Sequence, residues 1–210
     1  MPSLITSSVA KKLGMASTGL LLYGFLLGHL SGNFLLLKQD GGAAFNAYSD
    51  FLINHPLLLP VELGLVIVFV LHVYLAIAVS RENRKARPIG YHVSAAVGGR
   101  SWASRTMIWS GGLILVFLVL HLNNFKYADR GTDTLYDLVE ETFHDPVKVI
   151  GYLLALTVLG FHLWHAFQSA FQTLGLHTRS YIRRASILLC LLISGGFAVI
   201  PVWFFWGTVN

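Results

Sequence analysis

Five long apolar stretches, separated by shorter polar connections, are the dominant pattern along this chain of 210 residues. A helix needs about 20 consecutive apolar residues to cross the hydrocarbon of a bilayer, at a rise of about 1.5 Å per residue. The predicted architecture is therefore an all-α integral membrane protein with one transmembrane domain over residues 1–210, whose first four helices form a bundle. The pattern predicts transmembrane helices over about 16–37, 57–79, 105–122, 147–170 and 187–206.

Composition supports a membrane location and excludes sites that need several cysteines. Hydrophobic residues make up 55% of the chain and charged residues only 12%, which excludes an ordinary soluble domain. The single cysteine, Cys190, excludes an intramolecular disulfide and a cluster held by several thiolates of this chain. The first apolar stretch is longer than a signal-peptide core, and no small-residue cleavage pattern follows it, so we expect a retained helix.

The basic residues predict how the helices are oriented. Eleven of the 15 Lys and Arg residues lie in the N-terminal segment and in the second and fourth connections, which share one side of the membrane. The positive-inside rule places that side in the cytoplasm, so the N-terminus is expected to be cytoplasmic and the C-terminus to lie outside. The eleven residues are Lys11, Lys12, Arg81, Arg84, Lys85, Arg87, Arg100, Arg105, Arg179, Arg183 and Arg184.

The first outer connection carries a pattern of its own. Residues 41–56 place Phe45, Tyr48, Phe51 and Leu52 at near-helical spacing. This spacing is typical of a short helix lying in the membrane interface, and an ordinary ordered loop is an equally good interpretation. The third connection is rich in Asp and Glu, which contribute little to topology and are only consistent with an outer position.

A histidine lies well inside each of the first four apolar stretches: His29, His72, His121 and His162. An ionisable side chain within a bilayer is costly, so four of them on successive helices indicate a functional site. From the helical rise, His29 and His121 lie about 20–24 Å above the cytoplasmic ends of their helices, and His72 and His162 about 12 Å above them. We refer to His29 and His121 as the outer pair, and to His72 and His162 as the inner pair.

The donor chemistry of these pairs favours haem over other metal centres. Imidazole binds iron, copper, nickel and zinc, but a catalytic zinc site needs three or four ligands at one level. Two levels about 10 Å apart favour two stacked macrocycles, each with two axial imidazoles. His165 shares a helix face with His162 and stays open as an alternative inner ligand, or as a partner for a propionate or a quinone. The histidines in connections, which are expected to be surface residues, are His55, His92, His144 and His177.

Short motifs around the histidines carry a resemblance to a known family. They are Gly28-His29, Leu-His-Val-Tyr-Leu-Ala at 71–76, Val-Leu-His-Leu at 119–122, Gly-Phe-His-Leu at 160–163 and Phe-Gln-Thr-Leu-Gly at 171–175. In this order the chain resembles the di-haem cytochrome b membrane-anchor subunit of succinate dehydrogenases and quinol:fumarate reductases. The resemblance is to the single-polypeptide, five-helix type found in bacteria, and it covers essentially the whole chain.

The resemblance implies two haem b cofactors and a set of partners. His29 and His121 would ligate the iron of the outer (distal) haem, and His72 and His162 that of the inner (proximal) haem. The chain would anchor flavoprotein and iron–sulfur subunits at the cytoplasmic face of the bacterial inner membrane. It would carry electrons between the iron–sulfur subunit and a membrane quinone, expected to be menaquinone. It would have no dicarboxylate site of its own, and no nucleic-acid partner is expected.

Several further positions follow from this interpretation. Arg105, at the inner end of the third helix, is a candidate partner for a haem propionate, although a plain interfacial anchor is the favoured role. Ser17 and Ser104 are weaker candidates of the same kind. Some relatives that use menaquinone carry an acidic residue, assigned to proton movement, two positions before the helix-four ligand. That position is Gly160 here, which argues against a proton route of that kind.

Two other classes of protein fit parts of the pattern. Another quinone-linked cytochrome b, such as the anchor of a formate dehydrogenase or a hydrogenase, would share the haems and differ in its partner subunits. A transporter with intramembrane histidines would bind no haem. The sequence lacks the internal repeat and the paired broken helices that such transporters often have.

Overall fold

Each predicted apolar stretch lies mainly within a long helical segment. The computed structural model describes residues 7–85, 102–175 and 180–207, and in these ranges five helical segments are long and apolar enough to cross a membrane. The all-α membrane fold predicted from the sequence is thereby confirmed. The helices are α1 (Ser8–Asn33, continued by a 3₁₀ turn at Phe34–Leu37), α2 (Ala43–Ile53), α3 (Leu58–Lys85), α4 (Trp102–Phe125), α5 (Leu135–His144), α6 (Pro146–Thr173), α7 (Ser180–Cys190) and α8 (Gly196–Gly207).

The long helices extend beyond the predicted apolar stretches. The first begins at Ser8 rather than near residue 16, and α3 continues to Lys85 rather than ending near residue 79. Hydropathy marks only the part of a helix that matches the hydrocarbon, whereas backbone hydrogen bonding continues into the polar interface. An ion pair between Lys11 and Glu82 joins these two extensions.

Among the first four long helices, α1 and α6 are the two central ones. Extensive contacts join α1 to α3, α1 to α6 and α4 to α6, whereas α3 and α4 meet over a small surface. The fifth span consists of α7, a π-helical segment at Leu191–Gly195, and α8, and it packs mainly on α6. Many large apolar side chains of α3 and α4 are exposed, including Val66, Val70, Val116 and Val119, as expected for surfaces that face lipid.

Polar residues at the helix starts satisfy backbone donors. The Ser7 hydroxyl accepts a hydrogen bond from the Ala10 N–H, and the Asp145 carboxylate accepts one from the Val147 N–H. Pro146 occupies the first turn of α6, where its missing N–H costs little. These caps explain why α1 and α6 begin where they do.

Two short helices cover the end of the bundle opposite the N-terminus. The helix interpretation of residues 41–56 is confirmed by α2, whereas α5 in the third connection was not predicted. The two helices are joined by a hydrogen bond of 3.1 Å from the Tyr136 N–H to the Asn46 side-chain oxygen. Tyr136 also contacts Phe204 edge-on. The hydrophobic core at this end consists of Leu36, Phe45, Val139, Phe143, Val149, Tyr152, Ile200 and Phe204.

Candidate functional site

The outer pair comes together between α1 and α4. The ring centroids of His29 and His121 are 6.0 Å apart, and the ring planes are nearly perpendicular at 88°. Two imidazoles bound to one metal ion from opposite sides have ring centres about 6.3 Å apart, since each metal–nitrogen bond is about 2.0–2.1 Å and each ring nitrogen lies about 1.1 Å from its ring centre. The observed separation fits this requirement, and it also falls within the range of an ordinary edge-to-face ring contact.

Aromatic side chains enclose the outer pair. His121 contacts Phe117, Phe125 and Tyr152, with centroid distances of 5.8, 5.3 and 6.1 Å. His29 stacks on Phe25 at 5.5 Å and contacts Phe197 at the same distance. The surroundings of the outer pair are therefore largely apolar, and both rings are partly buried.

Polar partners of the outer pair are few. The Nδ1 atom of His121 is buried and has no hydrogen-bond partner among the residues that the structure describes. The Nδ1 atom of His29 lies 3.4 Å from the Asn33 side-chain nitrogen, which also donates a 2.8 Å hydrogen bond to the His29 carbonyl. A buried imidazole nitrogen without a partner is costly in an apolar region, so the described residues leave one polar atom of His121 unsatisfied.

The inner pair is held differently, by hydroxyl groups on neighbouring helices. The Nδ1 atom of His72 on α3 is 3.1 Å from the Thr18 hydroxyl on α1. The Nδ1 atom of His162 on α6 is 3.0 Å from the Ser110 hydroxyl on α4. Sequence reasoning did not find these two partners. It singled out Ser17, which is exposed, whereas the adjacent Thr18 is buried.

His162 also has a histidine neighbour one turn further along α6. His165 lies on the same helix and is partly buried, and His162 is within electrostatic range of both His72 and His165. The hydroxyl contact at 3.0 Å belongs to His162. This contact joins His162 on α6 to α4, and the choice of His162 over His165 as the inner ligand stays a prediction.

The remaining predicted positions fall into two groups. The side chains of Arg105 and Ser104 lie outside the described part of the structure, as do His92 and His177. The two other connection histidines have local partners, since His55 Nδ1 accepts from the Leu57 N–H and His144 Nδ1 contacts the Glu140 carbonyl.

Gly160, where the family resemblance drew attention to an acidic residue in some members, lies against the fifth span. A Cβ atom built on Gly160 would lie 2.8 Å from the Ser194 hydroxyl, which in turn donates to the Cys190 carbonyl. Ser194 belongs to the π-helical segment. A carboxylate at position 160 would therefore require the Ser194 side chain to move.

The donor set fits a centre with two protein ligands. In the described part of the chain, no three His, Cys, Asp or Glu side chains are grouped so that they could hold one metal ion. Two imidazoles, enclosed by aromatic or apolar side chains, suit a metal whose other ligands come from a macrocycle. Comparison of the chain with protein-family models, curated proteins and solved structures finds no match.

Proposed function

We propose that this chain binds two haem b groups and serves as the membrane anchor and cytochrome b subunit of a succinate:quinone oxidoreductase. In this function it carries electrons between an iron–sulfur subunit and a membrane quinone, for which menaquinone is the expected species. The observation that carries the proposal is the approach of His29 and His121, from α1 and α4, to a centroid separation of 6.0 Å within an aromatic enclosure.

The inner pair gives independent support. His72 and His162 lie on the other two helices of the bundle, and each has its Nδ1 atom bonded to a hydroxyl. Haem-ligating histidines normally bond iron through one ring nitrogen while a second group holds the other nitrogen. The two pairs together would hold two haems at two levels of the membrane.

The protein residues would hold and insulate the cofactors. When bound, the haems supply one-electron carriers within the membrane. If two histidines held each haem, the centre would favour electron transfer over oxygen chemistry. The residues Phe117, Phe125 and Tyr152 would exclude water around His121 and lower the local dielectric constant.

The partner subunits would dock on the basic side of the bundle. Exposed Arg84, Lys85, Arg183 and Arg184 lie at the ends of α3 and α7 on the side of the N-terminus. We assign this side to the cytoplasm of a bacterial inner membrane, with the C-terminus outside. Flavoprotein and iron–sulfur subunits would bind there, and the dicarboxylate reaction would take place in the flavoprotein.

A difference spectrum and a haem assay test the haem assignment. The full chain, expressed in bacterial membranes and purified in detergent, is expected to give a b-type dithionite-reduced minus oxidised spectrum with two haems per chain. His55→Ala, which alters a connection histidine, is the matched control and should retain both haems. Absence of a b-type signal would overturn the haem assignment, and one haem per chain would overturn the two-pair arrangement.

The partners that co-purify with the chain test the second part of the proposal. Flavoprotein and iron–sulfur subunits with succinate–quinone activity are expected. Recovery of a formate dehydrogenase or a hydrogenase instead would leave the haem pairs in place and contradict the assigned complex.

A further inference from the structure

The two hydroxyl groups that contact the inner pair occupy equivalent positions on their helices. Thr18-Gly19 precedes His29 on α1 in the same way that Ser110-Gly111 precedes His121 on α4: each hydroxyl lies eleven residues before the histidine. Eleven residues correspond to about three helical turns and about 16 Å, so the hydroxyl and the histidine share one face of the helix. Each of the two helices thus carries one outer ligand and, three turns away, one contact to an inner ligand.

The glycine after each hydroxyl faces the imidazole ring. A Cβ atom on Gly19 would lie 3.3 Å from Cε1 of His72, and one on Gly111 would lie 3.6 Å from Cε1 of His162. The first distance is tight, and the second is an ordinary van der Waals contact. The hydroxyl–glycine pair therefore lets each inner ring lie close to the neighbouring helix.

The backbone contacts of the hydroxyls favour one direction for the hydrogen bonds. Thr18 Oγ1 donates to the Gly14 carbonyl at 2.8 Å, and Ser110 Oγ donates to the Met107 carbonyl at 3.1 Å. A hydroxyl has only one proton to donate. With this proton directed to a carbonyl, the hydroxyl oxygen is left as an acceptor for an Nδ1–H group of the histidine.

We propose that Thr18 and Ser110 are positioning residues that fix the Nδ1–H tautomer of His72 and His162. The lone pair of each inner histidine then lies on Nε2, the nitrogen directed away from the hydroxyl and available to a metal. This inference rests on the proposed function for the identity of the metal centre, but the tautomer itself does not. The outer pair is not held in this way, since His121 Nδ1 has no hydrogen-bond partner in the described residues.

A hydrogen bond from Nδ1–H also affects the iron. An acceptor at this position increases the basicity of the ligating nitrogen and stabilises the oxidised metal. Loss of the acceptor should therefore raise the reduction potential of the inner haem. The potential of the outer haem should not change, because neither hydroxyl contacts an outer ligand.

Redox titration of three variants tests the effect on the haem. Thr18→Val and Ser110→Ala are each expected to give a positive shift of the inner midpoint potential while the outer midpoint stays unchanged. Thr18→Ser, which keeps the hydroxyl, should restore the parent value, and Thr157→Val, at an exposed α6 hydroxyl that donates to the Leu153 carbonyl, is the control. Equal shifts of both haems, or no shift in either hydroxyl variant, would overturn the proposed effect on the inner haem.

Nitrogen NMR of the histidine-labelled full chain tests the tautomer without haem. In a haem-depleted preparation, His72 and His162 are expected to be protonated on Nδ1, and Thr18→Val should remove this preference for His72 only. Protonation on Nε2 in the parent chain would overturn the positioning role. If the chain binds no haem and the Nδ1–H tautomer is still observed, the proposed function fails and the positioning role is retained.

Discussion

The two histidine pairs have different chemical surroundings although both lie within apolar helices. His121 is enclosed by aromatic rings, and one of them belongs to Tyr152, whose hydroxyl accepts a 3.1 Å hydrogen bond from Asn124. His72 and His162 are instead bonded to hydroxyl groups. Aromatic packing would thus set the position of the outer pair, and hydrogen bonds that of the inner pair.

Tyr152→Phe should weaken the outer site selectively. The substitution keeps the ring and leaves the Asn124 amide without its acceptor in an apolar region, so the free energy of unfolding should fall by about 0.5–1.5 kcal/mol. We expect the outer haem to lose affinity or to shift in its spectrum while the inner haem is unchanged. Unfolding in detergent and haem titration measure the two effects.

Tyr74→Phe is the matched control, because Tyr74 is 62% exposed on α3. It should leave stability and both haems unchanged. If Tyr152→Phe behaved like Tyr74→Phe, Tyr152 would have no part in the outer site.

The sequence identified the four histidines because an imidazole in an apolar stretch is conspicuous and its depth follows from the helical rise. Thr18 and Ser110 were missed because a hydroxyl in an apolar helix commonly bonds back to its own backbone. Their role depends on which helices are neighbours, and hydropathy carries no such information. The repeated spacing of hydroxyl, glycine and histidine was the available signal.

At the scale of the elements, α2 and α5 are the parts that hydropathy describes least well. The long apolar stretches predicted five spans because each must match the bilayer thickness. In contrast, α5 has only ten residues and is held by contacts that are distant in sequence, such as those with Asn46 and Phe204. Its position therefore depends on tertiary packing rather than on a local pattern.

Gly42→Ala should disrupt the contact between α2 and α5. Gly42 has a φ of 82°, and a Cβ atom there would overlap Cγ of the Tyr136 ring. The left-handed conformation and the collision should together cost about 2 kcal/mol or more. Hydrogen exchange of the α2 and α5 amides measures the loss of protection.

Gly41→Ala is the control for the collision. Gly41 also has a positive φ of 64°, but no described atom lies within 4 Å of a Cβ at this position. It should cost about 1 kcal/mol from conformation alone. Equal loss of protection in the two variants would contradict the packing role of Gly42.

The capping box of α5 should make this helix sensitive to acid. The Asp137 carboxylate accepts hydrogen bonds from the Thr134 hydroxyl and N–H, and these contacts lower the pKa of Asp137 below its usual 3.8. A lowered folded-state pKa stabilises the fold above the unfolded value, and this contribution is lost as the pH falls through the folded value. Protection of the α5 amides should therefore decrease in acid below about pH 4.

Asp137→Asn should remove most of this pH dependence, whereas Asp133→Asn, in the preceding turn, should preserve it. An unchanged acid response in Asp137→Asn would show that another group controls the docking of α5.

At the scale of the whole molecule, the packing of α1 against α6 brings the helices of both histidine pairs into one bundle. The extensive contacts of α1 with α3 and α6, and of α6 with α4, bring all four histidine-bearing helices together. Antiparallel neighbours place His29 and His121 at one level and His72 and His162 at the other. Under the proposed function, electrons would move between two centres inside one bundle, one nearer the basic side and one nearer the opposite side.

The haem content of paired histidine variants is the most direct test of the proposed histidine pairing. His72→Ala, His162→Ala and the double variant should each retain one haem per chain, with the redox and spectral properties of the outer haem in all three. His165→Ala should retain both haems. Loss of different haems in the two single variants, or loss of both haems in the double variant while its helical content is intact, would contradict the pairing.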